Sequence, residues 1–320
     1  MIELSGFSIG AVFGCVPARA TDNFTVTAAL AGEAKAKAIV QSTGFPMRRS
    51  VDPGTTVLEL MLPAARCALE GIAPSDVGGV VAVSFSAPDR FPALSVRLQH
   101  ALGLPRTTAA LDLSLACSGY PYGLMVAGQL AAATGRCVLL ADGDVQSAHV
   151  DVADVNTLAV MSDAATATLV TPSGGPARFD FLTDGSQADV LSCPATGKIR
   201  MNGFGVFRFV ATEATAFLRD FLATSGETPD FFVPHQANMY MVRQLASALG
   251  LDQRLLSSGP KFANPGSCSV PLTLAAGGFP DDANGSRDFS ALLAAFGAGL
   301  SASAAMLRLS SGMRRGIVEL

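Results

Sequence analysis

The apolar and polar positions of the chain alternate between strand-like and helix-like segments. Apolar runs of strand length, bounded by turn residues, occupy positions 77–86, 108–115 and 136–144. Positions 55–72 and 93–103 instead place apolar residues at helical intervals. Because strands that alternate with helices pack as a sheet covered on both faces, this pattern predicts an α/β fold.

The second half of the chain weakly repeats the first. The helix-then-strand pattern of residues 57–84 recurs at 206–233, and the strand, small-residue turn and strand of 138–171 recur at 291–309. Each of the latter segments predicts a hairpin whose turn lets the backbone approach a site. A stretch containing Gly and Pro at 171–179 separates the two copies. The predicted halves are residues 1–172 and 173–320.

Composition narrows the class of protein. The chain is 49% hydrophobic and 15% charged, which suits a well-buried α/β core. Its formal net charge of −4 offers no general attraction to nucleic acid. No apolar stretch reaches the roughly 18–20 residues that span a bilayer, and the N-terminus lacks the basic region of a secretory signal. We therefore expect a soluble cytoplasmic protein that binds neither nucleic acid nor membrane.

The six cysteines are scattered without Cys-x-x-Cys pairs or metal-ligand spacing. This arrangement predicts reduced thiols and no metal site. A cysteine considered alone is most often a packed core residue. We give that interpretation to Cys15, Cys67, Cys137, Cys193 and Cys268.

Cys117 has a different setting, in "ALDLSLACSGYPYGLMVAGQL" (110–130). The residues before it alternate like a strand, and those after Gly119 are spaced like a helix. A thiol at a helix N-terminus faces unpaired N–H groups and the positive end of the dipole, which favour the thiolate. The small residues Ser118 and Gly119 relieve crowding at such a turn. Cys117 is therefore a candidate nucleophile.

Two other polar residues lie at comparable junctions. His235 follows an apolar strand in "PDFFVPHQANMYMVRQLASALG" and precedes an amphipathic helix. It thus has the kind of site in the second half that Cys117 has in the first, whereas we interpret His100 and His149 as surface residues. Asn264 precedes a Pro-Gly turn and a run of small residues that opens a helix. Alone, His235 could be a capping or buried histidine and Asn264 a turn former; the three together indicate a catalytic site.

At these residues the sequence resembles the β-ketoacyl-acyl-carrier-protein synthase III type of thiolase-fold condensing enzyme. "ACSG" at 116–119 resembles the family's nucleophile motif and "PHQAN" at 234–238 its histidine motif. "NPGSCSVP" at 264–271 resembles the asparagine motif, which usually reads Gly-Asn-Thr-Ser. "AFGAGL" at 295–300 and "STGFPMRR" at 42–49 are similar to a C-terminal glycine-rich turn and an early Thr-Gly-Ile…Arg-Arg segment. The resemblance implies a five-layered αβαβα thiolase-like fold from two duplicated halves, and a homodimer.

The resemblance also implies a role for each residue of the site. Cys117 would attack an acyl thioester and hold the acyl group covalently. His235 and Asn264 would bind the carbonyl of a malonyl-type thioester and stabilise the enolate that decarboxylation leaves. Backbone N–H groups of Cys117 and Ala298 would form the oxyanion hole, although the family usually has Gly where Ala298 stands.

The implied substrates are thioesters of CoA or phosphopantetheine, and no cofactor is implied. The acyl donor would be acyl-CoA or an acyl carrier protein, and the second substrate a malonyl-type thioester. Phe91 resembles a loop phenylalanine that reaches across the dimer into the partner's acyl pocket, and Met161 and Phe296 fall at acyl-pocket positions. By residue type alone, we would interpret each of these three apolar residues as an ordinary core residue.

The residues with which the family usually binds CoA and the carrier protein are replaced in this sequence. Ala38 and Val155 stand where family members stack an aromatic residue and an arginine on the adenine, and Ser42 replaces a phosphate-side arginine. Tyr240 replaces an arginine that helps to dock the carrier protein. Other basic residues could compensate: Arg48 and Arg49 for the nucleotide, and Arg208 and Arg243 for the carrier protein.

The leading hypothesis is therefore a condensing acyltransferase that makes a β-ketoacyl thioester in a specialised fatty-acid or secondary-metabolite pathway. A second hypothesis keeps the acyl-Cys step but transfers the acyl group to an alcohol or amine. A third makes the chain a non-catalytic subunit of a heterodimeric synthase. Asn264 favours condensation over simple transfer, because transfer needs no enolate stabilisation. The complete Cys, His and Asn set weighs against the non-catalytic hypothesis.

Overall fold

The computed structural model describes residues 1–195, 197–279 and 287–320. The strands are β1 (Ile2–Leu4), β2 (Ser8–Val16), β3 (Ala20–Asp22), β4 (Met47–Arg49), β5 (Val77–Val83), β6 (Ala109–Leu113), β7 (Cys137–Asp144), β8 (Ala164–Thr171), β9 (Ala177–Thr183), β10 (Leu191–Ser192), β11 (Arg200–Met201), β12 (Phe231–Pro234), β13 (Asp288–Gly297), β14 (Ser301–Ser310) and β15 (Arg314–Glu319). The α-helices are α1 (Asn23–Ala31), α2 (Glu33–Thr43), α3 (Val57–Ala68), α4 (Leu94–Ala101), α5 (Gly119–Thr134), α6 (Val155–Val160), α7 (Gly203–Phe209), α8 (Thr215–Ser225), α9 (Met239–Ala248), α10 (Gly259–Phe262) and α11 (Ser269–Ala275).

Two mixed sheets form the frame of the fold. One has the strand order β15-β2-β8-β7-β5-β6, and the other the order β1-β9-β14-β13-β12. The strands predicted at 77–86, 108–115 and 136–144 are confirmed as β5, β6 and β7, and the two predicted helices as α3 and α4. The mainly buried β5 and β7 lie inside the first sheet, whereas β6 forms its edge.

Helices pack as layers around these sheets. α5 and α11 lie between the sheets, and α5 contacts β5 and β7 on one side and β13 and β14 on the other. α3 and α4 cover the outer face of the first sheet, and α8 packs on β9 and β14 of the second. A Cβ at Gly119 would overlap Val83, so the glycine lets α5 lie close to β5. The α-β-α-β-α order confirms the predicted five-layered architecture.

The two halves exchange their terminal strands. The predicted boundary at 172/173 falls between β8 and β9, which belong to different sheets. However, β1 pairs antiparallel with β9, and β15 pairs in parallel with β2. Each sheet therefore contains one short strand from the opposite end of the chain, and these pairings join the two halves.

Of the two predicted hairpins, only the second has a short turn. β13 and β14 pair antiparallel from Asp288↔Ser310 to Gly297↔Ser301. β7 and β8 also pair antiparallel, but residues 145–163 join them, with a 3-10 turn at Gln146–His149 and then α6. The prediction of a short turn between β7 and β8 is wrong. The connection is a longer segment, and its residues form a wall of the site.

Candidate active site

Cys117 lies on a strained turn in front of the central helix α5. It sits in a 3-10 turn, Ala116–Ser118, that continues directly into α5. Ala116 has a φ of 44°, which costs an L-residue conformational energy. The Cys117 side chain is 8% exposed. Gly297, the last residue of β13, packs against it, since a Cβ at Gly297 would lie 2.5 Å from the Cys117 Cβ.

The surroundings of Cys117 favour the neutral thiol. Burial, followed by the Asp144 carboxyl, raises the pKa of the thiol from 9.0 to about 12. This rise adds roughly 4 kcal/mol to the free energy of forming the thiolate. The N-terminus of α5 acts in the opposite direction, but a helix dipole contributes at most about 2 kcal/mol. The resting side chain is therefore a thiol, and the thiolate expected from its place at the helix is not the resting form.

His235 follows β12 and is held by a hydroxyl group. Its Nδ1 lies 2.6 Å from Oγ of Ser269, and this oxygen also accepts a hydrogen bond of 3.2 Å from the backbone N–H of Gln236. The Ser269 hydroxyl hydrogen is thus free to be donated to Nδ1, which leaves Nε2 as the N–H donor. Burial lowers the pKa of His235 to about 3, although a backbone hydrogen bond with Gly266 acts in the opposite direction. His235 is therefore a neutral imidazole at physiological pH.

Asn264 lies in a turn that opens the second central helix, α11. Its backbone N–H donates to the carbonyl of Val160, and its own carbonyl accepts from the Ser162 N–H, each at 3.0 Å. Its side-chain Oδ1 accepts from the Gly266 N–H at 3.0 Å, so its Nδ2 is the group left to donate. Ala263 before it has a φ of 53°, as Ala116 has a positive φ before Cys117.

These side chains line two cavities that share Cys117, Met161 and Leu191. The smaller, of about 90 Å³, brings together Cys117, His235 and Asn264. The larger, of about 370 Å³, extends from Cys117 along the turn between β13 and β14. A thioester carbonyl in the smaller cavity has an imidazole and an amide as neighbours, while a group attached to Cys117 can occupy the larger one.

The other predicted site residues are distributed unevenly. Met161 and Phe296 are buried and line the smaller cavity, and Phe296 meets the His235 ring edge-on at 5.3 Å. Ala298 lines the larger cavity beside Cys117. Phe91 is 86% exposed and lies on the loop before α4, so within one chain it does not fill an acyl pocket.

Several residues of the larger cavity escape the sequence analysis. His149, expected at the surface, is half-buried and lies against the Phe85 ring at 5.5 Å. Cys193, expected in the core, is also half-buried and lines the same wall. Gln146 lies two residues beyond the end of β7 and opens the 3-10 turn that contains His149. The signal that could have found Gln146 and His149 is their place directly after a strand that ends at the site.

Two buried carboxyl groups lie on β7 beneath the site. Asp144 accepts hydrogen bonds from Ser84 Oγ, Phe85 N–H, and both the N–H and the hydroxyl of Ser86. Burial raises its pKa to about 7 despite these bonds. Asp142 has no partner for either oxygen among the residues that the structure describes, and burial raises its pKa well above the usual range. Asp142 is therefore held as a neutral acid.

The positions at which the family's CoA-binding residues are replaced lie on two neighbouring helices. Ala38 and Ser42 are exposed on α2, and Val155 begins α6, which packs against α2. Arg48 is buried and donates to Ser50 Oγ. Arg49 donates to the carbonyls of residues 17 and 18 and pairs with the carboxylate of residue 319. These contacts hold both arginines within the fold and oppose their use as nucleotide-binding groups.

An aromatic and basic surface lies beside the smaller cavity. Tyr240 is 55% exposed and stacks on Phe207 at 6.0 Å. Arg208 and Arg243 are exposed on α7 and α9, the helices that supply Val206 and Met241 to the cavity wall. Both candidate substitutes for the carrier-protein arginine therefore lie on helices that border the site.

Two further features of the part of the chain that the structure describes concern metal sites and membrane-spanning helices. Over residues 1–195, 197–279 and 287–320, no group of three or more His, Cys, Asp or Glu side chains could hold a metal ion. Over the same ranges, no helix combines the length and the hydropathy of a membrane span.

Comparisons with known proteins agree with this fold. The family described as 3-oxoacyl-[acyl-carrier-protein] synthase III matches residues 111–186, and its C-terminal part matches residues 223–309. A Streptomyces coelicolor protein named β-ketoacyl-[acyl-carrier-protein] synthase III 2 is 33% identical over 311 residues, which cover 92% of each chain. The structure of a 3-oxoacyl-(acyl-carrier protein) synthase from Burkholderia xenovorans superposes with a TM-score of 0.94 at 27% identity, covering 100% of this chain and 98% of that one. A priming β-ketosynthase of a polyketide biosynthetic pathway superposes with a TM-score of 0.84 at 28% identity, covering 95% and 96%.

Proposed function

This chain belongs to the 3-oxoacyl-[acyl-carrier-protein] synthase III family and is a condensing acyltransferase, and we propose that it works through an acyl-Cys117 intermediate. The acyl group is then condensed with a malonyl-type thioester to give a β-ketoacyl thioester. One observation carries this proposal: Cys117, His235 and Asn264 line a single cavity. In that cavity the histidine is neutral and the asparagine has a free amide nitrogen.

The first half-reaction transfers the acyl group to Cys117. The sulfur attacks the thioester carbon, a new S–C bond forms and the donor's C–S bond breaks. The proton of the Cys117 thiol ends on the released thiol of the donor, so no net charge is created in the buried site. Backbone N–H groups of Cys117 and Ala298 hold the carbonyl oxygen while it carries negative charge.

The second half-reaction forms the carbon–carbon bond. The malonyl-type thioester loses CO₂, and the electron pair of the broken bond moves onto the thioester carbonyl as an enolate. Nε2–H of His235 and Nδ2–H of Asn264 stabilise that oxygen, because both are neutral donors fixed by other hydrogen bonds. The enolate carbon attacks the acyl-Cys117 carbon, and Cys117 leaves as the thiolate, which takes one proton from solvent to restore the thiol.

We further propose that a carrier protein delivers at least one substrate and that the pathway is specialised. Ala38, Ser42 and Val155 provide neither an aromatic face nor a guanidinium for a CoA nucleotide. Arg208 and Arg243 border the smaller cavity and can meet an acidic partner. A priming β-ketosynthase of a polyketide pathway among the similar structures supports a role outside general lipid synthesis.

The proposed functional unit is a homodimer. Among the residues that the structure describes, β6 pairs with β5 alone and leaves one side of the first sheet as an edge. An open strand edge is a ready surface for pairing with a second chain. Phe91 and Val96 expose large apolar side chains on the segment between β5 and β6, and a symmetric interface would cover both.

We also propose a cytoplasmic location without any bound cofactor. All six cysteines are free thiols, the form that a reducing compartment maintains. Both half-reactions proceed with thioesters alone.

The test is intact-mass measurement after incubation with a panel of acyl-CoA, acyl-pantetheine and acyl-carrier thioesters. A discrete acyl adduct is expected on the wild type and on the control variant Cys193→Ala, which removes a different cysteine from the wall of the larger cavity. Cys117→Ala should give none. An adduct that persists in Cys117→Ala, or that maps to Cys268, contradicts the assignment.

Adding malonyl thioester to the loaded enzyme then separates the alternatives. Release of CO₂ with a β-ketoacyl product supports condensation. Transfer only to an added alcohol or amine supports simple acyl transfer, and no adduct with any donor supports a non-catalytic subunit.

A further inference from the structure

The larger cavity combines apolar walls with a small group of polar side chains. Apolar lining residues include Leu115, Met161 and Ile199, whereas Gln146 and His149 present polar atoms beside them. If the proposed function is correct, this cavity holds the acyl group on Cys117, because the smaller one holds the residues that bind the second substrate. The polar pair therefore faces the acyl chain.

The orientation of Gln146 is fixed by its backbone partners. The side chain is 1% exposed, and its Nε2 donates at 2.7 Å to the carbonyl of Ser162 and at 2.7 Å to the carbonyl of Asn264. Because both partners are acceptors, the nitrogen must face them and Oε1 must face away. Among the described residues, no donor bonds to Oε1, although nearly all of the side chain is buried. The cavity thus contains a rigid acceptor that lacks a donor.

His149 lies on the same face of the same turn. Gln146 and His149 are the first and last residues of one 3-10 turn, in which side chains three positions apart project in the same direction. The Phe85 ring supports the imidazole at 5.5 Å. Over residues 1–195, 197–279 and 287–320, neither ring nitrogen has a protein partner. The imidazole can therefore donate to or accept from a ligand in the cavity.

We propose that the preferred acyl group carries a hydroxyl close to its thioester carbonyl, as in a short 3-hydroxyacyl group. A hydroxyl donates to Gln146 Oε1 and accepts from the His149 ring, so it satisfies both side chains at once. An alkyl chain of the same length would cover Oε1 and leave it without a hydrogen-bond donor. Because a buried acceptor without a donor costs free energy, the site should disfavour that alkyl chain. The contact of Gln146 with the Asn264 carbonyl places this acceptor at the catalytic end of the cavity.

The test compares two acyl groups that differ only in the hydroxyl. Butanoyl- and 3-hydroxybutanoyl-pantetheine, the latter as separate enantiomers, are incubated with the full-length protein. The rate of acyl-Cys117 formation is followed by intact mass. We expect one hydroxyacyl enantiomer to load at least about tenfold faster than butanoyl, since a polar site rejects an analogue that lacks the bonding group.

Two variants assign that preference to the polar pair. His149→Phe keeps a ring against Phe85 but removes both nitrogens, and should reduce the hydroxyl preference to about threefold or less. Gln146→Leu should do the same and is measured with a thermal melt, because it also removes two bonds to backbone carbonyls. Gln253→Leu alters an exposed glutamine in the 3-10 turn Asp252–Arg254 and should keep the wild-type rates and preference.

The outcomes separate this inference from the proposed function. Butanoyl loading without a preference for either hydroxyacyl enantiomer overturns the inference and leaves the acyl-Cys117 step intact. A preference that survives both His149→Phe and Gln146→Leu also overturns it. If no thioester of either kind acylates Cys117, the proposed function fails, and the inference fails with it.

Discussion

Gly297→Ala tests whether the position of Cys117 is set by a close contact with β13. A Cβ at Gly297 would lie 2.5 Å from Cβ of Cys117 and 3.3 Å from its Sγ, whereas ordinary contacts begin at 3.4 Å. One of the two residues must therefore move by close to 1 Å. Gly297 is held by its pairing with Ser301 in β14. The turn of Cys117 is held as well, because Ser303 Oγ donates to the Ser118 carbonyl at 2.8 Å.

The expected loss is large in activity and moderate in stability. A displacement of about 1 Å in a reacting group costs on the order of 10² in rate. Overpacking of a buried contact typically costs about 1–3 kcal/mol of unfolding free energy. We expect Gly297→Ala to fold with a lowered melting temperature and to acylate Cys117 about a hundredfold more slowly. Gly297 has no positive φ, so the effect arises from space and not from backbone strain.

The assay is the single-turnover rate of acyl-enzyme formation, followed by intact mass, beside a thermal melt. Gly175→Ala is the matched control, because this glycine is exposed, has no positive φ and has no neighbour within 4 Å of an added Cβ. The control should load at the wild-type rate. If Gly297→Ala loads within about threefold of the wild type, the contact does not set the position of the thiol and the argument is wrong.

Three further predictions concern the half-reactions, the donor and the buried acids. His235→Ala and Asn264→Ala should each slow condensation by about 10²–10³ while slowing acylation of Cys117 far less; a variant that loads slowly but condenses normally once loaded contradicts these roles. CoA and pantetheine esters of one acyl group should have kcat/KM values within about tenfold of each other. A thousandfold preference for the CoA ester would show that the enzyme binds the nucleotide. Asp142→Asn should stabilise the protein increasingly as the pH rises above 3.8, because the folded wild type retains a proton that the unfolded chain releases. Denaturant unfolding at pH 4 and pH 8 measures this, and an equal effect at both pH values would contradict it.

The sequence predicts the layers of the fold better than the membership of its sheets. Long buried strands such as β5 and β7 are recognisable because continuous apolar runs indicate burial on both faces. The exchange of β1 and β15 is not recognisable, since these short strands carry little pattern and their partners are chosen by tertiary packing. The predicted division at 172/173 therefore describes the order of the elements but not the two sheets.

The residues of the candidate site can be predicted where they depend on residue type, and they are missed where they depend on which segments enclose the cavity. Cys117, His235 and Asn264 lie at strand or turn ends, which the sequence marks by its change of periodicity. His149 and Cys193 become cavity residues only because β10 and the residues after it cover the 146–149 turn. A lone histidine in a polar stretch gives no sign of such a covering segment.

The backbone also shows which parts of the two halves correspond. The sequence places His235 opposite Cys117, since both follow strands and precede helices. In the structure the 3-10 turn of Cys117, Ala116–Ser118, corresponds to the turn Gly266–Cys268: each continues into a central helix, and each begins at a residue with a positive φ, Ala116 or Gly266. Asn264 lies two residues before the second turn and follows another alanine with a positive φ, Ala263. An alanine in that conformation costs about 1–3 kcal/mol unless its surroundings hold it. The two 3-10 turns contact each other between the sheets, so the duplicated geometry itself brings the Cys117 thiol and the Asn264 amide to one cavity. His235 enters from β12 as the third member, which explains why the internal repeat alone could not assign the site.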